Sequence, residues 1–175
     1  MTLRRSILGL VGLSALLGAC QIQPGEYRVY RIANEDSEQS NGCFPSTPGP
    51  DVTGDSTTVR VGQTFGIFAA DPDTYFLDFE ALSLAGVRDG KDYAFNGETV
   101  DVMVFGPNND STQTVTSILD VDLTISGRQL EGTSVLEVTS ECVGMSCPTP
   151  ANTVCTTTTS FQGSEVKDVE LEHSI

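Results

Sequence analysis

Between Leu119 and Ser126 the chain alternates without a break. Leu119, Val121, Leu123 and Ile125 are apolar; Asp120, Asp122, Thr124 and Ser126 are polar. Successive side chains of an extended chain point to opposite faces, so this pattern describes a strand with one dry face and one wet face. A dry face must be covered, and the rest of the sequence supplies further strands to cover it. Thr57 to Val61 and Thr64 to Ala69 read as strands, as do Tyr75 to Phe79 and the run with Leu82 and Leu84. Tyr93 with Phe95, Val100 with Val104, Gln129 to Val138 and Val154 to Phe161 continue the series, and Glu26 to Ile32 precedes it. Turn residues stand between them: Asp71-Pro72-Asp73, Asp89-Gly90, Gly106 to Asp110, and Gly127-Arg128. No amphipathic helix of convincing length occurs after the N-terminus. Many short strands with regular turns indicate an all-β domain. The expected architecture is an antiparallel up-and-down meander of about eight to ten strands, because closure into a barrel removes edges that invite aggregation. A two-sheet β-sandwich is the alternative. Asn34 to Ser56, rich in Asp, Ser, Gly, Pro and Asn, reads as one long loop carrying Cys43.

The N-terminus carries a different message. Arg4 and Arg5 precede an apolar run from Ile7 to Leu17. The run is too short for the roughly 20 residues a membrane-spanning helix needs. A basic start, a short apolar core and small residues before a cut describe a secretory signal peptide. Leu17-Gly18-Ala19-Cys20 resembles the lipobox of bacterial lipoproteins. The resemblance covers about 20 residues and implies processing: Cys20 is alkylated with diacylglycerol, the chain is cut before it, and the new amine is acylated. It divides the chain into a signal peptide at 1–19, a lipidated tether at 20–25 and a single β-domain at 26–175. Several acyl chains on one residue give stable anchoring. Gln21, where the inner-membrane retention signal has Asp, favours the outer membrane. Arg4-Arg5-Ser6 also resembles, more distantly, a twin-arginine export signal.

Charge and cysteine content bear on the same question. The formal net charge is −15, and loss of Arg4 and Arg5 with the signal makes it more negative. So acidic a chain is not suited to nucleic acid and is not expected to lie flat on anionic lipid. With Cys20 lipidated, Cys43, Cys142, Cys147 and Cys155 remain. An even number in an exported chain suggests two disulfides. Three pairings are open. Reading Cys142 and Cys155 as facing each other across a hairpin pairs those two and leaves Cys43 for Cys147. No Cys-x-x-Cys pair occurs and His173 is the only histidine, so no metal site or cofactor is expected.

A single histidine near the end of the chain offers no base for nucleophilic catalysis. Asp120 with Asp122, Asp71 with Asp73, and Asp51 with Asp55 are carboxylate pairs, none in a spaced calcium-loop pattern. The chain is therefore read as no enzyme. Phe65, Phe68, Tyr75, Phe76, Phe79, Tyr93, Phe95 and Phe105 crowd one region. They are expected either to fill a β-core or to line a cup for an apolar ligand. Gly25-Glu26-Tyr27 loosely resembles the Gly-x-Trp opening of lipocalins, with tyrosine for tryptophan, and points toward a barrel. A triplet echo also recurs, an apolar residue with a glycine two places on and a valine three further: Phe95/Gly97/Val100, Leu130/Gly132/Val135 and Phe161/Gly163/Val166. A bulge at the glycine would keep both apolar residues inside. The expected function is a non-enzymatic envelope lipoprotein with a structural or protein-contact role. The alternative is a lipocalin-like carrier of a small apolar ligand. The expected partners are the membrane, through the lipid, and either a protein or that ligand.

Overall fold

A computed structural model describes residues 22–43, 63–79 and 82–167. Within them the chain forms eight strands: β1 (Tyr27–Gln39), β2 (Thr64–Ala69), β3 (Tyr75–Phe79), β4 (Leu82–Asp89), β5 (Asp92–Phe105), β6 (Ser111–Ser126), β7 (Gln129–Gly144) and β8 (Asn152–Val166). Each pairs antiparallel with the next, and β1 pairs with β8, closing a lipocalin-like up-and-down barrel. The sandwich is excluded, because every strand has two neighbours in one closed ladder.

The turns form where local chemistry allows them. Gly90 and Gly127 adopt φ of 63° and 64°, which a residue without Cβ takes at little cost, and they sit in the two-residue hairpins β4–β5 and β6–β7. Asp71 Oδ1 accepts the amides of Asp73 at 2.9 Å and Thr74 at 2.8 Å and fixes the β2–β3 turn.

The inward faces follow the expected alternation. Leu119, Val121, Leu123 and Ile125 lie in the core, and Asp120 and Asp122 face solvent. Tyr30, Phe65, Phe79 and Phe161 are at most 1% exposed. Phe65 meets Phe161 edge-on at 5.3 Å and Phe79 tilted at 5.6 Å, geometries that suit the ring quadrupoles. The barrel interior is lined mainly by apolar side chains, the inverse of a water-filled membrane-spanning barrel, although Arg28 and Arg88 also turn inward at the closed end. Among the described residues no helix is long and apolar enough to cross a membrane.

Several expectations need correction. The loop expected from Asn34 is strand as far as Gln39, followed by a 3₁₀ turn at Asn41–Cys43. Its polar residues have weak strand propensity, but the ladder to the threonine-rich β8 holds them, with a register irregularity between Asn34 and Ser37. Likewise β7 continues to Gly144, past the Val138 at which the expected strand ends. The glycines of the triplet echo are not bulges: ladders β5–β6, β6–β7 and β7–β8 run through them without a shift. Gly97, Gly132 and Gly163 instead share the inward face with the apolar residue two places earlier. A Cβ there would sit 2.3 Å from Leu84 Cδ2, 2.8 Å from Phe161 Cζ and 2.6 Å from Ile32 Cδ1, respectively. The glycines make room for large neighbours, and the valine of each triplet turns outward. Phe68 and Phe76 also lie outside the core. They stack with Tyr27 in one cross-strand row on the outer face, at 5.1 Å and 5.7 Å between centroids. The expected strand at Thr57 to Val61 lies outside the described residues.

Candidate functional site

The disulfides are Cys43–Cys155 and Cys142–Cys147. The pairing expected from the hairpin is wrong for a register reason. Across the β7–β8 ladder Cys155 faces Val138, and the amide of Cys142 bonds to the Ala151 carbonyl at 2.9 Å. Cys142 and Cys155 are therefore separated along the strands. Cys142 instead closes the short connection after β7, with Cys147 five residues on. Cys155 reaches sideways to Cys43, just past the end of β1, across the seam that closes the barrel. Cys20, Asp51, Asp55 and His173 lie outside the described residues.

The barrel has two unlike ends. At the first end are the start of β1 and the short turns β2–β3, β4–β5 and β6–β7. Here the segment before β1 folds over the opening. Ile22 is fully buried in the core. Pro24 bridges to Ala69, and the Gly25 amide donates to the Ala69 carbonyl at 2.9 Å. The Gln23 amide donates to Glu26 Oε2 at 2.8 Å, and Glu26 pairs with Arg28 at 2.8 Å. Partial burial pushes the Glu26 carboxyl up. The hydrogen bonds from Arg28 and Gln23 and the Arg28 charge outweigh it and hold the group below the ordinary glutamate range. Tyr75 and Tyr93 meet edge-on at 5.2 Å beneath this strap, and Arg88 lies 5.8 Å from the Tyr93 ring. Burial raises the phenols of Tyr30 and Tyr93. Residues 22–25 are thus part of the barrel, where a free polar tether was expected.

At the other end β5 to β8 run far past the short strands β2 to β4, with the end of β1 beside them. Their inward faces carry hydroxyls and amides that bond one another. Ser37 and Thr159 meet at 2.8 Å, Gln113 Nε2 donates to Ser140 at 2.8 Å, and Ser134 donates to the Thr159 carbonyl at 3.4 Å. At the tip Ser111 and Ser146 both donate to Asp110 Oδ1, at 2.9 and 2.8 Å, which ties two connections together. No described base stands beside this serine–carboxylate group, and its hydrogen bonds account for it structurally.

Two concavities bear on ligand binding. A recess of about 110 Å³ opens at the mouth between Leu82, Leu84, Gly97, Leu119 and Leu136. A shallow groove of about 640 Å³ crosses the outer face over Ala94, Asp122, Thr133 and Ser160. Two of its acids are engaged in cross-strand bonds, Thr124 donating to Asp92 and Gln162 to Glu35, and Asp89, Asp122 and Glu131 are exposed. Asp71 makes the turn contacts already described, and Asp120 accepts from Asn96. Among the described residues no group of three or more His, Cys, Asp or Glu is placed to hold a metal ion.

Among the described residues two strands keep a free edge: β1 is bonded on its β2 side only as far as Ile32, and β5 is the longer case. β4 ladders with β5 only as far as Asn96; Leu82 and Leu84 lie beside Gly97 across the recess without pairing to it, so from Gly97 to Phe105 β5 has a described ladder partner on one side alone, β6. The Lys91 carbonyl accepts from Ile125 of β6, and the β5–β6 register is unbroken. Odd-numbered residues of β5 therefore turn their backbone groups toward β6. Glu98, Val100, Val102 and Val104 turn theirs outward. Val100, Val102 and Val104 are 54–63% exposed. This edge was missed in the sequence: alternating valines read as an ordinary strand, and only topology reveals that a neighbour is lacking.

No protein-family model, no curated protein and no solved structure matches this chain.

Proposed function

We propose that this chain is a non-enzymatic lipoprotein of the bacterial cell envelope, anchored at Cys20 in the outer membrane, whose work is contact with another protein. The observation that carries the choice of contact over carriage is the filled interior. Small-molecule sites occupy roughly 300–1,000 Å³. The barrel axis is occupied by Tyr30, Phe65, Phe79 and Phe161, and the recess at its mouth is about 110 Å³. The free edge of β5 suits a protein partner, because an extended segment can add to it as a further strand through main-chain hydrogen bonds. Val100, Val102 and Val104 give that added strand an apolar stripe to match. The two disulfides support an oxidising compartment outside the cytoplasm.

Native mass spectrometry of residues 21–175 purified from a periplasm tests this reading. The expected result is a bare mass, short by the hydrogens of two disulfides. Extra mass present natively and lost on denaturation would overturn the contact reading in favour of the lipocalin-like carrier.

A further inference from the structure

We infer that the closed end of the barrel faces the membrane, held close to the phospholipid headgroups by the strap at Ile22, with the long ends of β5 to β8 pointing away from the bilayer. This rests on the reading of Cys20 as the lipidated residue.

The first argument is reach. Only Gln21 separates Cys20 from Ile22, and two Cα-to-Cα steps of extended chain span at most about 7 Å. Ile22 is not free to lengthen the linker. Its side chain is fully buried, and the residues after it are fixed to Ala69 and Glu26 by main-chain hydrogen bonds. Acyl chains on Cys20 therefore bring the closed end to headgroup depth. Its hairpin turns are short, two residues at Gly90-Lys91 and two at Gly127-Arg128, so no long described connection intervenes.

The second argument is charge. Six Lys and Arg residues are described: Arg28, Arg31, Arg88, Lys91, Arg128 and Lys167. All lie at this end, in its turns or within five residues of a strand terminus. They interleave with Glu26, Asp71, Asp73, Asp78, Asp89, Asp92, Asp122, Glu131 and Glu165, and two form ion pairs, Arg28 with Glu26 and Arg128 with Glu165. The far half carries Glu38, Glu98, Asp101, Glu137 and Glu141 and no base among the described residues. Anionic headgroups repel that half, which has no described base, more strongly than the closed end, where six bases offset most of the charge of nine acids. β6 has 16 residues, about 50 Å along the strand, which sets the acidic tip several screening lengths from a surface beneath the closed end.

The test uses the full chain expressed in a Gram-negative host. Incorporation of labelled palmitate, lost in Cys20→Ser, checks the anchor by itself; no incorporation in the unaltered chain overturns the anchor reading and this one with it. The lipidated protein is then placed in vesicles of phosphatidylethanolamine and phosphatidylglycerol carrying a nickel-chelating headgroup. A nitroxide is attached through Asp73→Cys at the closed end or Asn108→Cys at the far end. Relaxation by nickel is expected to be several-fold stronger at position 73. Equal or reversed relaxation with palmitate still incorporated overturns the orientation and leaves the anchor standing. A flexible Gly-Ser insertion between Gln21 and Ile22, which leaves the strap in place, is expected to abolish the difference. Its persistence would overturn the short reach as the cause.

Discussion

In the closed half of the barrel the eight strands face inward with rings and branched aliphatics. In the far half, β5 to β8 face inward with Ser117, Gln113, Ser140 and Thr157. The backbone ladder is continuous across both, since β6 and β7 pair residue for residue from Ser111↔Gly144 to Ser126↔Gln129. What differs is the opposite wall. β2, β3 and β4 have 6, 5 and 8 residues, against 14, 16, 16 and 15 in β5 to β8. Where the short strands stop, no described surface lies across from the long ones, and burial cannot stabilise them. Threonine holds an extended backbone without needing a dry partner, which accounts for the Thr-rich β8. The two disulfides stand where the core is absent. One region is stabilised by burial and the other by ladder and cross-links.

The largest effects should come from breaking each region's own source of stability. Loop entropy assigns Cys43–Cys155, 112 residues apart, about 4–5 kcal/mol. The five-residue separation of Cys142–Cys147 gives about 2 kcal/mol. Urea unfolding of the Cys43→Ser/Cys155→Ser and Cys142→Ser/Cys147→Ser pairs should reproduce that order. Equal losses would mean that the seam between β1 and β8 is held by its ladder alone. In the closed half, Phe161→Ala should cost about 3–5 kcal/mol, because its neighbours Phe65 and Gly132 cannot refill the space. Thr157→Ala, also inward but in the far half, should cost under about 1 kcal/mol.

The same contrast explains how much could be read in advance. The dry face of β6, the two glycine hairpins and the closed meander were legible because alternation and turn chemistry are local. The disulfide partners were not. Cys142 and Cys155 look like hairpin neighbours until the register places Val138 opposite Cys155. Phe68 and Phe76 were counted toward the core because an aromatic residue signals burial, whereas their strand parity turns them outward to stack with Tyr27. Ile22 was read as tether because a single apolar residue among Gln21, Gln23 and Pro24 has no periodicity to reveal it. The free edge of β5 is a property of the topology, and no local pattern encodes a missing neighbour.

Alkaline pH offers a milder way to separate the two ends. Tyr30 and Tyr93 sit at the closed end with phenols raised by burial. A group whose folded pKa is raised contributes stability that is fully present below its unfolded pKa and is lost as pH rises through the folded value. Stability should therefore decline from the ordinary tyrosine range, near pH 10, upward. Tyr93→Phe should make that decline shallower while leaving the neutral-pH midpoint nearly unchanged. An identical alkaline slope in the variant would place the sensitivity elsewhere.

The smallest effect on stability is expected at the β5 edge, and there a small effect is the informative one. Val102 is 63% exposed, on a strand whose outer backbone groups have no described partner. Val102→Lys should leave the urea midpoint within about 0.5 kcal/mol of the unaltered protein, as surface changes away from packed features do. Leu123→Lys, inward on β6 and 3% exposed, should prevent folding, because a lone charge cannot be buried in that core. Lysine on an edge also opposes strand addition. A fold indifferent to Val102→Lys is one that does not use this edge for itself, which leaves the edge available to another chain. A loss above about 1 kcal/mol would mean that the protein already covers the edge, and the contact surface would have to be sought elsewhere.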